Sequence, residues 1–164
     1  MFTPIRFRAF VLLTCLFALS SSFICSAIDI SSTGDWSLSI GASDLVSGAG
    51  SDLQGYYESG IGLISIDITG TSGASDAWRV DINKTDGTWH ANLHLSAYRT
   101  GAGSGLGSIS GGTSYQEIAN TYLSFFNGSG DRSGITVRLR LGGVSVQVPP
   151  ATYSATVTFT VIDN

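Results

Sequence analysis

The sequence has 164 residues, formal net charge −4 and 12% charged residues, which is enough chain for one domain. Two of the eight bases, Arg6 and Arg8, lie near the N-terminus, so residues 28–164 hold six bases against twelve acids, a net charge of 6 − 12 = −6. Such a chain lacks the basic surplus that neutralises phosphates, which argues against nucleic-acid binding. Both cysteines, Cys15 and Cys25, precede residue 28. Residues 28–164 therefore carry no disulfide scaffold, cysteine zinc site or thiol nucleophile.

The first 27 residues have the three parts of a secretory signal. Residues 1–8 carry two arginines and no acid, and an apolar stretch follows over residues 9–24. Cys25 and Ala27 are small residues at the −3 and −1 positions of a cleavage site. This pattern predicts cleavage after Ala27, a single domain over residues 28–164, and a secreted, periplasmic or cell-surface protein that meets the membrane only during export. The alternative is an uncleaved anchor, because residues 9–28 are long enough to span a bilayer.

Apolar and polar residues alternate along much of the remaining chain. Such alternation is typical of antiparallel strands with one buried face. We therefore predict an all-β, Ig-like antiparallel β-sandwich of about seven to nine strands. The glycine-rich segment Gly101–Gly112 is predicted to be a long flexible loop. The alternating segments are residues 35–40, 64–69, 78–83, 89–96, 135–141, 144–148 and 153–161.

One hairpin can be given a register from the sequence. Asp86-Gly87 is a typical two-residue turn, because glycine tolerates positive φ. Closing the turn there places Val80 opposite Leu93 and Arg79 opposite His94. The apolar residues of both segments then share one face.

No constellation of residues predicts catalysis or metal binding. His90 and His94 would lie about 13 Å apart on a strand, too far to share one zinc ion. Asp67 and Asp81 are expected to be solubilising charges, although paired carboxylates are the alternative. Residues 127–131 place oxygen ligands at alternate positions, as calcium loops do, but Arg132 follows and no acid closes the site, so an ordinary turn is expected. We therefore predict a non-enzymatic protein without a metal or cofactor.

Aromatic residues and arginines are the remaining candidates for a binding surface. Tyr56 and Tyr57, in the long connection over residues 41–60, are the candidate ligand-contact pair. Arg138 and Arg140 share a strand face and would meet either an anionic partner or acids on a neighbouring strand. The three tryptophans, Trp36, Trp78 and Trp89, fall on the apolar phase of their segments and are expected in the core.

The C-terminal segment resembles the end of secreted subunits of bacterial surface fibres. Two prolines and Tyr153 precede an alternating run over residues 154–162 whose apolar members are predicted to face the core. In chaperone–usher pilins and spore-coat U proteins, a similar turn, tyrosine and strand end an Ig-like domain. The resemblance implies assembly with itself or with other fibre subunits by strand exchange, in which Ile28 to Ile40 would supply the donor strand.

Two functional classes follow. The first is an exported, non-enzymatic structural or adhesive cell-surface protein of the pilus or fimbria type. The second is a secreted or periplasmic module that binds a glycan or a protein with the loops at one end of the sandwich. An unpaired apolar groove would favour the first class, and an aromatic-lined cleft in a complete sandwich would favour the second.

Overall fold

The computed structural model describes residues 27–164. Residues 1–26 of the predicted export signal lie outside the described residues. Ala27, the last residue before the predicted cleavage, is described. None of the helices found within residues 27–164 has the length and apolar character needed to cross a membrane.

Two antiparallel sheets make up the described chain. In the larger sheet the order is β1-β3-β10-β5-β8, with the short β2 and β6 also paired to β10. In the smaller sheet the order is β11-β4-β9-β7. The larger sheet contains β1 (Asp29–Thr33), β2 (Tyr56–Glu58), β3 (Ile64–Thr69), β5 (His94–Arg99), β6 (Ser104–Gly105), β8 (Gln116–Glu117) and β10 (Arg132–Gly142). The smaller sheet contains β4 (Ala77–Asp86), β7 (Ile109–Gly111), β9 (Leu123–Ser129) and β11 (Ala155–Asp163).

These sheets confirm the predicted all-β sandwich. Seven strands have five or more residues, and the other four are no longer than three residues. Alternate residues of the long strands face the core because the side-chain period of a strand is two. The residues with no exposed surface come from both sheets: Ile66, Ile68, Trp78, Val80, Ile82, Ala97, Phe126, Ile135 and Val137.

The last strand follows its predicted phase over most of its length. Val157, Phe159 and Val161 pack against the core, whereas Thr156 and Thr158 are exposed. Each of the apolar three is only partly buried, because β11 is an edge strand that pairs with β4 alone.

The predicted hairpin through Asp86-Gly87 is wrong. β4 pairs with β11 and β9, whereas β5 pairs with β10 and β8 in the other sheet. Val80 therefore lies opposite Val161 and Phe126 rather than Leu93. The apolar faces of β4 and β5 both point into the core, as expected, but they approach it from opposite layers. Alternation determines which face of a strand is buried, but it does not determine which other strand it pairs with.

Two predicted strands are absent from the described chain. Residues 35–40 have no regular secondary structure, and residues 144–148 include a turn closed by a hydrogen bond from Val148 N to Ser145 O. Conversely, β9 was not predicted because its sequence does not alternate. A bulge against β4 allows the consecutive Phe125 and Phe126 both to enter the core.

The glycine-rich segment Gly101–Gly112 is built into both sheets. It supplies β6, which pairs with β10, and β7, which pairs with β9. Two nearly buried arginines also hold its carbonyl groups. Arg99 Nε donates to Gly111 O (2.9 Å) and Arg132 Nε donates to Ala102 O (3.0 Å). The prediction of a long flexible loop is therefore wrong, because the segment contains two short strands that pair with both sheets.

Candidate functional site: an apolar cleft at one end of the sandwich

A cleft of about 1020 Å³ opens at one end of the two sheets. β3, β5 and β11 begin at this end, and β10 finishes there. Two connections without strand pairing along most of their length, residues 34–55 and 143–154, cross the gap between the layers. We call this feature the end cleft.

The lining of the end cleft is mainly apolar. Its floor includes Ile64, Leu95 and Leu139, which belong to the core, and Trp36 and Trp89 are half-buried in its walls. Among the described residues that line it, Asp35 has the only charged side chain. The lining can therefore exclude water from an apolar ligand.

Hydrogen bonds to Asp52 link the two connections over the cleft. Its carboxylate accepts hydrogen bonds from the backbone N of Val146 (2.9 Å) and from Ser145 Oγ (3.2 Å). The hydrogen bonds from the backbone of Val146 and Leu53 hold the pKa of Asp52 below its ordinary value. Next to Asp52 the mouth of the cleft is apolar. Its side chains include Leu38 and Val146, which are 43% and 61% exposed.

Polar backbone groups are also available in the cleft. Within the described chain, residues 35–40 and 150–152 make no backbone–backbone hydrogen bond. Residues 35–40 carry alternating Trp36, Leu38 and Ile40, all of which line the cleft. This segment has the sequence pattern of a strand without a neighbouring strand, which explains why it was predicted as one.

A second cluster lies on the outer face of the larger sheet, around Glu58. Its carboxylate accepts hydrogen bonds from the Tyr115 hydroxyl (2.7 Å), from Arg138 Nη1 (2.9 Å) and from Arg140 Nη2 (2.7 Å). The hydrogen bonds from Tyr115 and Arg140 are the main reason that the pKa of Glu58 is lowered. Both arginines therefore meet an acid on a neighbouring strand, which is one of the two alternatives that their spacing predicted.

The candidate pair Tyr56 and Tyr57 is divided between the two faces of β2. Tyr56 is 56% exposed on the outer face, with the Arg140 guanidinium 4.6 Å from its ring centre. Tyr57 is half-buried, and burial together with the charge of Asp44 raises its pKa. Only Tyr56 offers an open ring face to a ligand.

The other candidate residues are dispersed. His90 lies in a turn rather than on a strand, while His94 Nδ1 is 2.8 Å from Glu117 Oε1. Asp67 accepts a hydrogen bond from the backbone N of Gly134 in the larger sheet, and Asp81 pairs with Arg79 in the smaller one. Because they belong to different layers, the two carboxylates do not form one site. Asp131, in the calcium-like segment, accepts two hydrogen bonds from Thr71.

The three tryptophans do not all lie in the core, where they were expected. Trp78 is fully buried and donates from Nε1 to Gly130 O (2.9 Å). Trp36 and Trp89 instead line the end cleft. Their apolar phase predicted that they point inward, but it could not distinguish a packed core from a cleft that is open at one end.

Within residues 27–164, the end cleft and the Glu58 cluster each offer a surface that a partner could contact. Comparisons with protein-family models, with curated proteins and with solved structures found no match.

Proposed function

We propose that this chain is an exported, non-enzymatic structural or adhesive protein of a cell surface that takes an extended segment of a partner protein into its end cleft. The observation that carries the proposal is the cleft itself, about 1020 Å³ of mainly apolar space. Removing apolar surface from water contributes about 25 cal/mol per Å². A few alternate apolar side chains of a bound segment would therefore supply a substantial part of the binding free energy.

The unpaired backbone beside the cleft favours a polypeptide over a purely apolar small molecule. Residues 35–40 make no backbone–backbone hydrogen bond with the rest of the described chain. An added strand can satisfy such groups, and its alternate side chains can enter the apolar space beside them. The partner is then either another copy of this chain or another surface subunit.

The outer and inner faces of β11 provide a matched pair of variants. Val157 lines the cleft, whereas its neighbour Thr158 points to solvent. Residues 29–33 pair with β3 in the chain's own larger sheet, so a free peptide of residues 28–40 stands for the segment that a second copy would have to release. We expect Val157→Asp to abolish binding of this peptide, measured by calorimetry and by light scattering after size-exclusion chromatography. Thr158→Asp should leave binding unchanged, and circular dichroism should verify that both variants fold.

Two results would contradict the proposal. One is a protein that stays monomeric at all concentrations and does not bind the peptide. The other is equal binding by both variants, which would place the contact outside the cleft.

Export rests on the N-terminal sequence. Two arginines, the apolar stretch and the small residues up to Ala27 together support secretion and cleavage. N-terminal sequencing of the exported protein should begin at Ile28. A full-length chain retained in the membrane would instead support the anchor.

Glycan binding is a second candidate function, and the exposed ring of Tyr56 favours it. Arg140 stacks against Tyr56 and, at 3.5 Å, against Tyr115, which fixes an aromatic row on the outer sheet face. Sugars stack on such rings. Tyr56→Ala should then remove glycan binding in a calorimetric titration while peptide binding in the end cleft is retained.

A further inference from the structure

An amine, a carboxylate and an amide lie in contact at the end of β4. Lys84, the only lysine in the sequence, is 9% exposed. Its Nζ pairs with Asp86 Oδ1, and Asp86 Oδ2 accepts a hydrogen bond from Asn120 Nδ2 at 2.9 Å. One carboxylate therefore touches both a primary amine and a primary amide.

The backbone keeps these groups together. The backbone N of Lys84 donates to Ala119 O at 2.9 Å, which places the residue before Asn120 directly beside Lys84. The Trp89 ring lies 4.9 Å from Lys84 Nζ and shields one side of the amine from water. The amine is thus largely buried, and the Asp86 carboxylate links it to the amide.

We propose that Lys84 and Asn120 form an intramolecular amide bond, with Asp86 as the proton carrier. Proximity allows a weakly reactive amide to be attacked by an amine, and burial of Lys84 keeps water away from the attacking amine. Asp86 brings the two groups together, because its two oxygens touch the nucleophile and the leaving group. Hydrogen bonds from Lys84 and Asn120 lower the pKa of Asp86, so that it begins as the carboxylate.

The reaction balances without an oxidant or co-reactant. Asp86 takes a proton from the Lys84 ammonium group, and the freed lone pair of Nζ forms a bond to Cγ of Asn120. A second proton leaves Nζ, and the Cγ–Nδ2 bond breaks with its electron pair on nitrogen. Asp86 passes both protons to the departing nitrogen, which leaves as ammonium. The carboxylate is regenerated, and the net charge is conserved.

This bond would serve a domain without a disulfide, because residues 28–164 contain no cysteine. A bond between Lys84 and Asn120 would join β4 to the connection between β8 and β9, and it would do so in any redox environment. Like a disulfide, it would restrict the unfolded chain.

Mass spectrometry of the purified folded protein tests the proposal. We expect an intact mass lower than the sequence mass by one ammonia. A tryptic digest should contain a branched species in which residues 80–99, uncleaved at Lys84, are joined to residues 100–132. After unfolding, an amine-reactive reagent should label the N-terminus alone, because the only lysine is blocked.

Three variants separate the proposed bond from other losses of ammonia. Lys84→Arg, Asp86→Ala and Asn120→Ala should each restore the full mass expected for their sequences and remove the branched peptide. Cyclisation of Asn120 on its own backbone also releases ammonia, but it would persist in Lys84→Arg and give only linear peptides. Asn127→Ala, which changes an exposed asparagine on β9, should keep the bond.

Two outcomes would overturn the inference. The first is a folded wild-type protein that keeps its full sequence mass after prolonged incubation. The second is a loss of ammonia accompanied by linear peptides alone. Because Asn120 is exposed, Asn120→Ala should fold even if the variants of Lys84 and Asp86 do not.

Discussion

Truncating two phenylalanines should reveal whether the end cleft is open in solution. Phe126 is fully buried, with its ring 6.1 Å from Trp78 and 5.2 Å from Phe125. Phe126→Ala leaves an enclosed cavity and should lower the free energy of unfolding by about 3–5 kcal/mol. Phe159 is only partly buried and lines the cleft. Phe159→Ala should lower it by about 1–2 kcal/mol, since less apolar surface is lost and no closed cavity forms.

Equilibrium urea denaturation measures both changes. The midpoint shift should be larger for Phe126→Ala, while the slope m should be the same for both variants if the exposed surface on unfolding is unchanged. The loss for Phe126→Ala is a large part of a typical stability of about 5–15 kcal/mol. Equal losses in the two variants would refute the reasoning, because Phe159 would then be enclosed and the cleft closed.

Three further predictions test other parts of the structure. Glu58→Gln should destabilise the protein near neutral pH, and the difference from wild type should shrink below about pH 4. The sign follows because the lowered pKa of Glu58 gives stability above its ordinary pKa that is lost as the pH falls through the folded value. Gly105→Ala should cost several kcal/mol in thermal unfolding because its Cβ would overlap Asp131 O, whereas Gly48→Ala, with φ +80° and open space around it, should cost roughly 1 kcal/mol. Asp52→Ala should speed amide exchange in residues 45–53 and 143–148 without affecting the core strands.

The sequence predicts the fold class well because alternation reports burial directly. Val80 and Ile82 are buried where their phase places them. Strand pairing is not encoded in the same way. The Asp86-Gly87 turn fits a hairpin, but Gly87 and Thr88 bond to Ser154, which precedes β11. Gly87 N donates to Ser154 O (2.9 Å), and Ser154 N donates to Thr88 O (2.8 Å). That choice depends on residues far along the chain, which no local pattern contains.

The sites were harder to predict than the fold. Tyr56 was identified because exposed aromatic residues in a connection are unusual, and it does lie on the surface. The end cleft was not predicted, because it is formed by the space between two connections. Trp36 and Leu38 carried its only sequence signal, and the same alternation is expected of an ordinary strand. The contacts of Asp86 with Lys84 and Asn120 likewise depend on how β4 meets the segment before β9.

The position of β11 has a consequence for how the protein comes to be folded. β4 lies between β9 and β11, so the smaller sheet needs a strand that ends at Asp163. A chain that emerges N-terminus first, from a ribosome or through a membrane pore, cannot complete this sheet until residues 155–163 have passed. During that interval the inner face of β4, which includes Trp78, remains partly uncovered and prone to wrong association. For a chain exported as proposed above, this topology favours passage in an unfolded form followed by folding on the far side.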